Sequence, residues 1–338
     1  MIEKAEVGMR DTGVEPKVIR DAVWLACRAP SLHNSQPWHW RVEGDVVQLY
    51  VDPNRAPRRT DQSGREALIG CGAALDHFRV AMAAAGWTAN VERFPNPNNF
   101  LHLASVDFTP MDYVTDAHRH RANAILARRT DRLPFTPPPN WQSMEAELRQ
   151  AVEGHGVFLD VIADELRPEL AEASQLAESL RLYDSGYHAE LLGWTTGFKL
   201  TDGIPSSSLV SAAESDRVDV GRNFPVTHHS DRRPWVDQDH AKILVLSSND
   251  STHDDVLRSG EALSAVLLEA TMAGLATCTL THLTEVLASR MVVGTLIGKN
   301  TTPQVLIRVG QAPSVGETIP PTPRRPLAEV LDMPPADQ

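Results

Sequence analysis

Two stretches of this 338-residue chain ask for the same unusual structure. "EALIGCGAALDHFRVAMAAAGW" (66–87) and "SGEALSAVLLEATMAGLATCT" (259–279) both read as long helices rich in small residues, the first apolar on nearly every helical face. A helix of that kind is buried on all sides. Each stretch carries a glycine near its end, Gly86 and Gly274, and each runs on into strand-like sequence. One element used twice predicts an internal duplication into two α+β halves, 1–115 and 116–338, joined near Asp116 to Arg128.

The flanking patterns agree with that class. A helix with apolar residues at Ile19, Val23, Leu25 and Ala26 precedes a hairpin, "RVEGDVVQLYVD", turning at Glu43-Gly44-Asp45. "TANVERFP" and "FLHLASVDF" alternate as strands on either side of "PNPNN". A polar helix ending in "ARRTDRLPFTPPP" follows, then a helix, the strand "GVFLDVIA" and a second helix between Trp141 and Leu182. "AKILVLSS" and "TPQVLIRVG" complete the strand set. Residues 202–234 form a long irregular stretch of Ser, Gly, Asp, His and Pro, which in a compact protein signals function or disorder. Ile204, Leu209, Val210 and Phe224 within it favour an ordered, packed lid.

Composition narrows the function classes. A formal net charge of −12 argues against a nucleic-acid surface. No apolar run reads as a membrane span, and "MIEKAEVGMRDTG" lacks the apolar core of a signal peptide. Three widely spaced cysteines fit a reducing, cytoplasmic compartment rather than a disulfide framework. "GCGAAL" lacks the third glycine of a dinucleotide fingerprint, and "GTLIGKN" is one residue short of a P-loop and ends in Asn300 where Ser or Thr is needed. His118 and His120 stand two apart on a helix and cannot face one ion, and His228-His229 reads as a solvated pair. No nucleophile elbow is present. Neither a metal site nor a catalytic side chain is assigned.

Three features remain. "RAPSLHNSQPWHW" (28–40) crowds Ser31, His33, Asn34, Ser35 and Gln36 onto a stiff turn. "RRTDR" (128–132) gathers three guanidinium groups and a hydroxyl, a set suited to phosphate. "PRRP" (323–326) holds two more arginines between prolines. Either basic knot alone could equally be a surface salt-bridge patch.

Taken together these motifs resemble the nitroreductase superfamily of flavoproteins. "APSLHNSQPWHW" is similar to its A-P-S-x-x-N-x-Q-P-W-x-F stretch, "RRTDRLPF" to its R-R-S-x-R-x-F phosphate motif. "MAGLATCTLTHL" resembles the helix end and loop beside flavin N5, and "RRPLAEVL" the C-terminal segment. The order departs from ordinary members: here A-P-S comes first and the R-R-T motif about a hundred residues later. That layout resembles the double-length, Acg-type group of actinobacterial, chiefly mycobacterial proteins. It implies two fused nitroreductase-like halves, with mixed, mainly antiparallel sheets flanked by helices, forming a pseudo-dimer in one chain. One FMN site per chain is implied, and a further face could still make a homodimer.

The resemblance also implies the site. Arg28, Ala29, Pro30, Ser31 and Leu32 would lie against the flavin, with Ser31 in direct contact. Asn34 and Gln36 would touch it or support the loop, and Arg28 would reach it or cap its helix. Trp38 and Trp40 read as core anchors. Arg128, Arg129, Thr130 and Arg132 would grip phosphate and ribityl chain, with Asp131 orienting the arginines. Leu280, Thr281 and His282 would form the N5 loop, and Arg324 and Arg325 the C-terminal basic pair. Thr281-His282 stands where the family often has Glu-Gly. The implied chemistry is hydride transfer from NAD(P)H through FMN to an electron acceptor. The alternative is an FMN-sequestering protein whose site is closed by residues 202–234. A flavin-dependent oxidase or a flavin-degrading enzyme on the same fold stays open.

Overall fold

The computed structural model describes residues 13–196, 201–313 and 321–333. The stretch read as lacking the apolar core of a signal peptide falls, but for Gly13, outside the described residues. The first part comprises α1 (Pro16–Ala26), β1 (Trp38–Glu43), β2 (Val46–Val51), α2 (Arg65–Ala84), β3 (Trp87–Arg93), β4 (His102–Pro110) and α3 (Asp116–Ala127). There follow α4 (Trp141–Ala151), β5 (Phe158–Val161), α5 (Arg167–Ser179), α6 (Ser185–Thr195) and the short α7 (Ala212–Ser215). The last part is β6 (Lys242–Ser248), α8 (His253–Met272), β7 (Ala276–Leu280), α9 (His282–Glu285), α10 (Leu287–Ile297), β8 (Thr302–Gly310) and β9 (Leu331–Asp332).

The fold is α+β. One sheet has the order β3-β4-β2-β1-β9, the other β5-β6-β8-β7. Every pairing is antiparallel except β1 with β9, where Trp40 faces Leu331. The end of the chain therefore completes the sheet that its beginning starts. The largest core cluster takes residues from both sheets and both long helices. Trp38 and Trp40 are fully buried in it, as core anchors should be.

The two long helices are α2 and α8, and they pack on each other. Asp61 starts α2 by accepting the N–H groups of Glu66 and Ala67, at 3.0 and 2.8 Å. A Thr252–Asp255 capping box starts α8. Beyond α2, Gly86 takes φ +91°, a conformation in which a side chain is strained. At the crossing, a Cβ on Gly72 would lie 2.0 Å from the Leu257 carbonyl oxygen. A Cβ on Gly260 would lie 2.1 Å from that of Ile69. The contact is reciprocal. The 188-residue step from Asp76 to Ser264, which share a 2.6 Å hydrogen bond, also relates Gly72 to Gly260, Ile69 to Leu257 and Gly86 to Gly274. By length and composition α2 is apolar enough to cross a membrane, a property the sequence reading missed; here it is a core helix.

Helix α6 was not legible in the sequence, because only Tyr187, Leu191 and Thr195 form its buried stripe. Within 202–234, Ile204, Leu209 and Val210 are buried and Phe224 is half-buried.

Replacing Gly72 or Gly260 by alanine is expected to lower unfolding stability by about 3 kcal/mol, because backbone stands where the methyl must go. The exposed-side control Gly193→Ala, with open space around it, should cost nothing or stabilise by up to about 1 kcal/mol. Urea unfolding followed by tryptophan fluorescence checks both. Equal midpoints for all three variants would contradict the close crossing.

Candidate functional site

The stretch from Arg28 to Gln36 is a strained turn. His33, Asn34 and Gln36 all have positive φ, near +55°. Such backbone persists where its surroundings hold it, often at functional sites. Here they do. Ser31 Oγ accepts from the Gln36 N–H at 3.0 Å. Asn34 Nδ2 donates to the carbonyls of Gly203 and Pro323, both at 3.1 Å. Gln36 Nε2 donates to the Thr201 carbonyl at 2.8 Å, and Gln36 Oε1 accepts from the Arg325 N–H at 2.8 Å. Asn34 and Gln36 therefore pin the loop to two distant segments and leave Pro30, Ser31, Leu32 and His33 facing a cavity.

That cavity encloses about 1000 Å³ including its mouth. Thr130, Arg132, Leu280, Thr281 and His282 lie on its walls, so residues far apart in sequence converge on one cavity. The walls also include residues that the sequence reading did not single out: Glu66, Ile69, Arg222, Cys278 and Arg308. Phe224, expected only to pack the lid, lines it too; its ring sits 5.0 Å from the Arg132 guanidinium and edge-on to His33. Arg222 stands alone in "VGRNF", without a neighbouring motif to mark it.

A second compartment of about 550 Å³ shares Pro30, Ser31, His33, Thr130 and Arg132 with the first. Arg28, Arg128, Arg129, Arg132 and Arg324 line it, and among the described residues no carboxylate does. Their partners are carbonyls. Arg128 Nη2 donates to the Arg28 carbonyl at 3.3 Å, and Arg324 to those of Cys27 and Arg28 at 2.8 and 3.0 Å. Arg129 donates to the carbonyls of Leu126 and Arg128, and Arg132 to that of Ser208. The Nε atoms of Arg28 and Arg128 are buried without a partner. Burial and the neighbouring guanidiniums push the Arg128 pKa down to about 10 and hold Arg324 well below its ordinary value. Burial also lowers Arg28, Arg129 and Arg132. Converging cations that are desolvated without counter-charge are costly, and an anion relieves that cost. The donor set fits a phosphate group.

Three expectations need correction. The Arg325 guanidinium turns away, to Glu329 Oε2 at 3.3 Å and the Glu329 carbonyl at 2.9 Å, since neighbours in extended chain point to opposite sides. Asp131 does not orient the arginines around it. Its Oδ2 accepts from Arg233 Nη2 at 2.6 Å, and Arg233 comes from the irregular stretch. Ala29 is buried behind the loop rather than on the wall.

At the far end of the inner chamber Arg222 pairs with Glu285, and its guanidinium also donates to Thr281 Oγ1 at 3.2 Å and Tyr187 Oη at 3.0 Å. Arg181 holds the other Glu285 oxygen at 2.6 Å. Despite its burial, the two guanidiniums keep the Glu285 carboxyl down to about 2. His282 Nε2 meets Ser174 Oγ at 2.8 Å; burial, helped by Arg222, pushes its pKa down to about 3. Among the described residues no cluster of three His, Cys, Asp or Glu could hold a metal.

No protein-family model matches the chain. A Mycobacterium tuberculosis protein provisionally named the NAD(P)H nitroreductase Acg is 64% identical over 323 residues, spanning 96% of this chain and 98% of its own. Another M. tuberculosis protein, also provisionally named an NAD(P)H nitroreductase, is 35% identical over 98% of this chain and 96% of its own. A solved FMN-dependent nitroreductase, NfnB from Mycobacterium smegmatis in complex with NADPH, is 18% identical. It covers 65% of this chain and 100% of its own at a TM-score of 0.40, too low a likeness to carry an argument.

His282 links the site to acid stability. Below its ordinary value of 6.5 the unfolded imidazole takes up a proton that the folded one refuses down to about pH 3, so acidification favours unfolding. His282→Asn is expected to flatten the fall of stability between about pH 6.5 and 4, by up to about 1.4 kcal/mol per pH unit. Urea midpoints across that range for both proteins test this, and parallel curves would refute it.

Proposed function

The chain belongs to the Acg-type nitroreductase family, and on that premise we propose that it binds one FMN and serves as an NAD(P)H-dependent flavin oxidoreductase. The observation that carries the reading is the pocket of five arginines, lined by no carboxylate among the described residues. Arg28, Arg128, Arg129, Arg132 and Arg324 would hold the FMN phosphate, with the Thr130 hydroxyl as a further donor. Pro30, Ser31 and Leu32, opposite Leu280, Thr281 and His282, would hold the ring in the adjoining chamber. When bound, FMN supplies hydride transfer from a nicotinamide to an electron acceptor. The chain's part is to bind, orient and exclude water, so no catalytic side chain is assigned. The free, buried Cys27, Cys71 and Cys278 fit a cytoplasmic protein.

The reading includes two fused halves, 1–115 and 116–338, arranged as a pseudo-dimer. Its support is the reciprocal crossing of α2 and α8, with one 188-residue step relating four pairs of positions. The same step relates Thr281 to Arg93, whose guanidinium is clamped at 2.7 Å by the fully buried Glu261. An ion pair thus takes the place that a second cavity would need, which favours one flavin per chain.

A second reading is FMN sequestration with little turnover, with residues 202–234 acting as a lid; its support is that the stretch lines part of the chamber. Arg222 and Phe224 form part of its wall. Arg233 pairs with Asp131 outside the stretch at 2.6 Å, and Arg232 with Glu214 braces it from within at 2.8 Å.

Arg128→Ala combined with Arg132→Ala is expected to weaken FMN binding at least about 100-fold, since each charge-assisted contact contributes about 1.5–3 kcal/mol. A double variant that purifies as yellow as the parent would remove the phosphate assignment. Anaerobic stopped-flow mixing with NADPH or NADH separates the two readings. Bleaching of the flavin band supports the reductase; bleaching by dithionite alone supports sequestration.

A further inference from the structure

Glu66 is a buried acid on the wall of the inner chamber that the flavin reading does not use. It stands in the first turn of α2, where Asp61 Oδ1 accepts its N–H at 3.0 Å. Gly70, one turn further along the same face, is the position that rests on Ser31. Glu66 therefore lies beneath the turn that is read as holding the flavin. Among the described residues lining the chamber it is the only carboxylic acid. It also lines a second cavity, of about 970 Å³, that reaches the exposed residues Gln62 and Ser63. Among the described residues the two cavities share Glu66 alone, so it stands between the chamber and solvent.

The surroundings favour the protonated acid. Glu66 Oε1 accepts from Arg65, and no hydrogen bond reaches Oε2 among the described residues. Arg65 faces it from α2, Asp61 from the preceding loop, Glu285 from α9, Arg290 from α10 and Arg222 from the irregular stretch. Burial raises the Glu66 carboxyl, Arg65 opposes, Glu285 and Asp61 raise it further, and Arg222 opposes again; the balance pushes its pKa up to about 8. The two histidines on the wall cannot take its place. Burial holds His33 well below 6.5 and His282 down to about 3, so at neutral pH neither carries a proton to give. Burial also raises the Cys278 thiol, which keeps its proton.

We propose that Glu66 is the proton donor of the chamber, serving an electron acceptor of the quinone class and resupplied from solvent through the second cavity. The inference rests on the oxidoreductase reading. A quinone needs one hydride and one proton and releases nothing, which matches one hydride source and one acid. The hydride, drawn from the nicotinamide by way of FMN, carries both electrons and leaves a hydroquinone anion. Its charged oxygen bonds to the Glu66 proton as the carboxyl O–H bond breaks, and the electron pair stays on the carboxylate. A proton from solvent in the second cavity restores the acid.

The test follows reoxidation by benzoquinone of the FMN-loaded chain, reduced beforehand with one equivalent of dithionite, in an anaerobic stopped flow across a range of pH. The rate is expected to fall as pH rises through about 8, because the carboxylate has no proton to give. Glu66→Gln should slow reoxidation at least about tenfold and remove that pH step. Infrared spectra give a readout without turnover: the difference between the parent and Glu66→Gln should hold a carboxylic C=O band that is lost over the same pH range. A parent rate that is level across the range, the same rate and pH dependence in Glu66→Gln, or the absence of that band overturns the inference and leaves the flavin reading standing. A chain that takes up no FMN overturns both.

Discussion

Everything in this molecule hangs on how closely α2 approaches α8. Gly72 and Gly260 let each helix backbone rest against a carbonyl of the other. Only small residues permit that, which is why both helices are rich in Gly, Ala and Ser. The close approach sets the distance between two sheets that share one core. It also brings the loop after α1 against the start of α2, where a Cβ on Gly70 would sit 3.2 Å from Ser31 Cβ. The walls of the inner chamber are therefore placed by the crossing, and the chemistry of the site follows from the packing of the core.

The site is a problem in electrostatics that the protein leaves open. Elsewhere the chain closes its buried charges with care: Asp239 is shared by Arg167 and Arg308, and Glu261 by Arg79 and Arg93. In the five-arginine pocket it does not, although Arg128 and Arg324 are held down by burial there. A buried cluster of cations left without a carboxylate among the described residues, in a fold that pairs Asp239 and Glu261 with arginines, is one whose cost an anion would relieve. The turn at 31–36, held in left-handed backbone by Asn34 and Gln36, forms the other side of the same compartment.

Much of this was legible in the sequence, for reasons that are local. Small-residue periodicity marked α2 and α8, alternation marked the strands, and clustered arginines marked the pocket. What was not legible depended on distance. Arg222 reaches the chamber from a stretch with no periodicity, and only the fold sets it against Glu285 and Tyr187. Asp131 sits among arginines in sequence yet pairs with Arg233, about a hundred residues away. Arg324 and Arg325 are alike on paper, but extended backbone sends one to the pocket and the other to Glu329. Helix α6 escaped because its buried stripe is only three residues deep.

The account rests on one flavin seated in one asymmetric pocket per chain. Native mass spectrometry of the protein after incubation with excess FMN measures that ratio directly. A single species carrying one FMN per chain is the predicted result. Two FMN per chain, or a chain that remains empty, would contradict it.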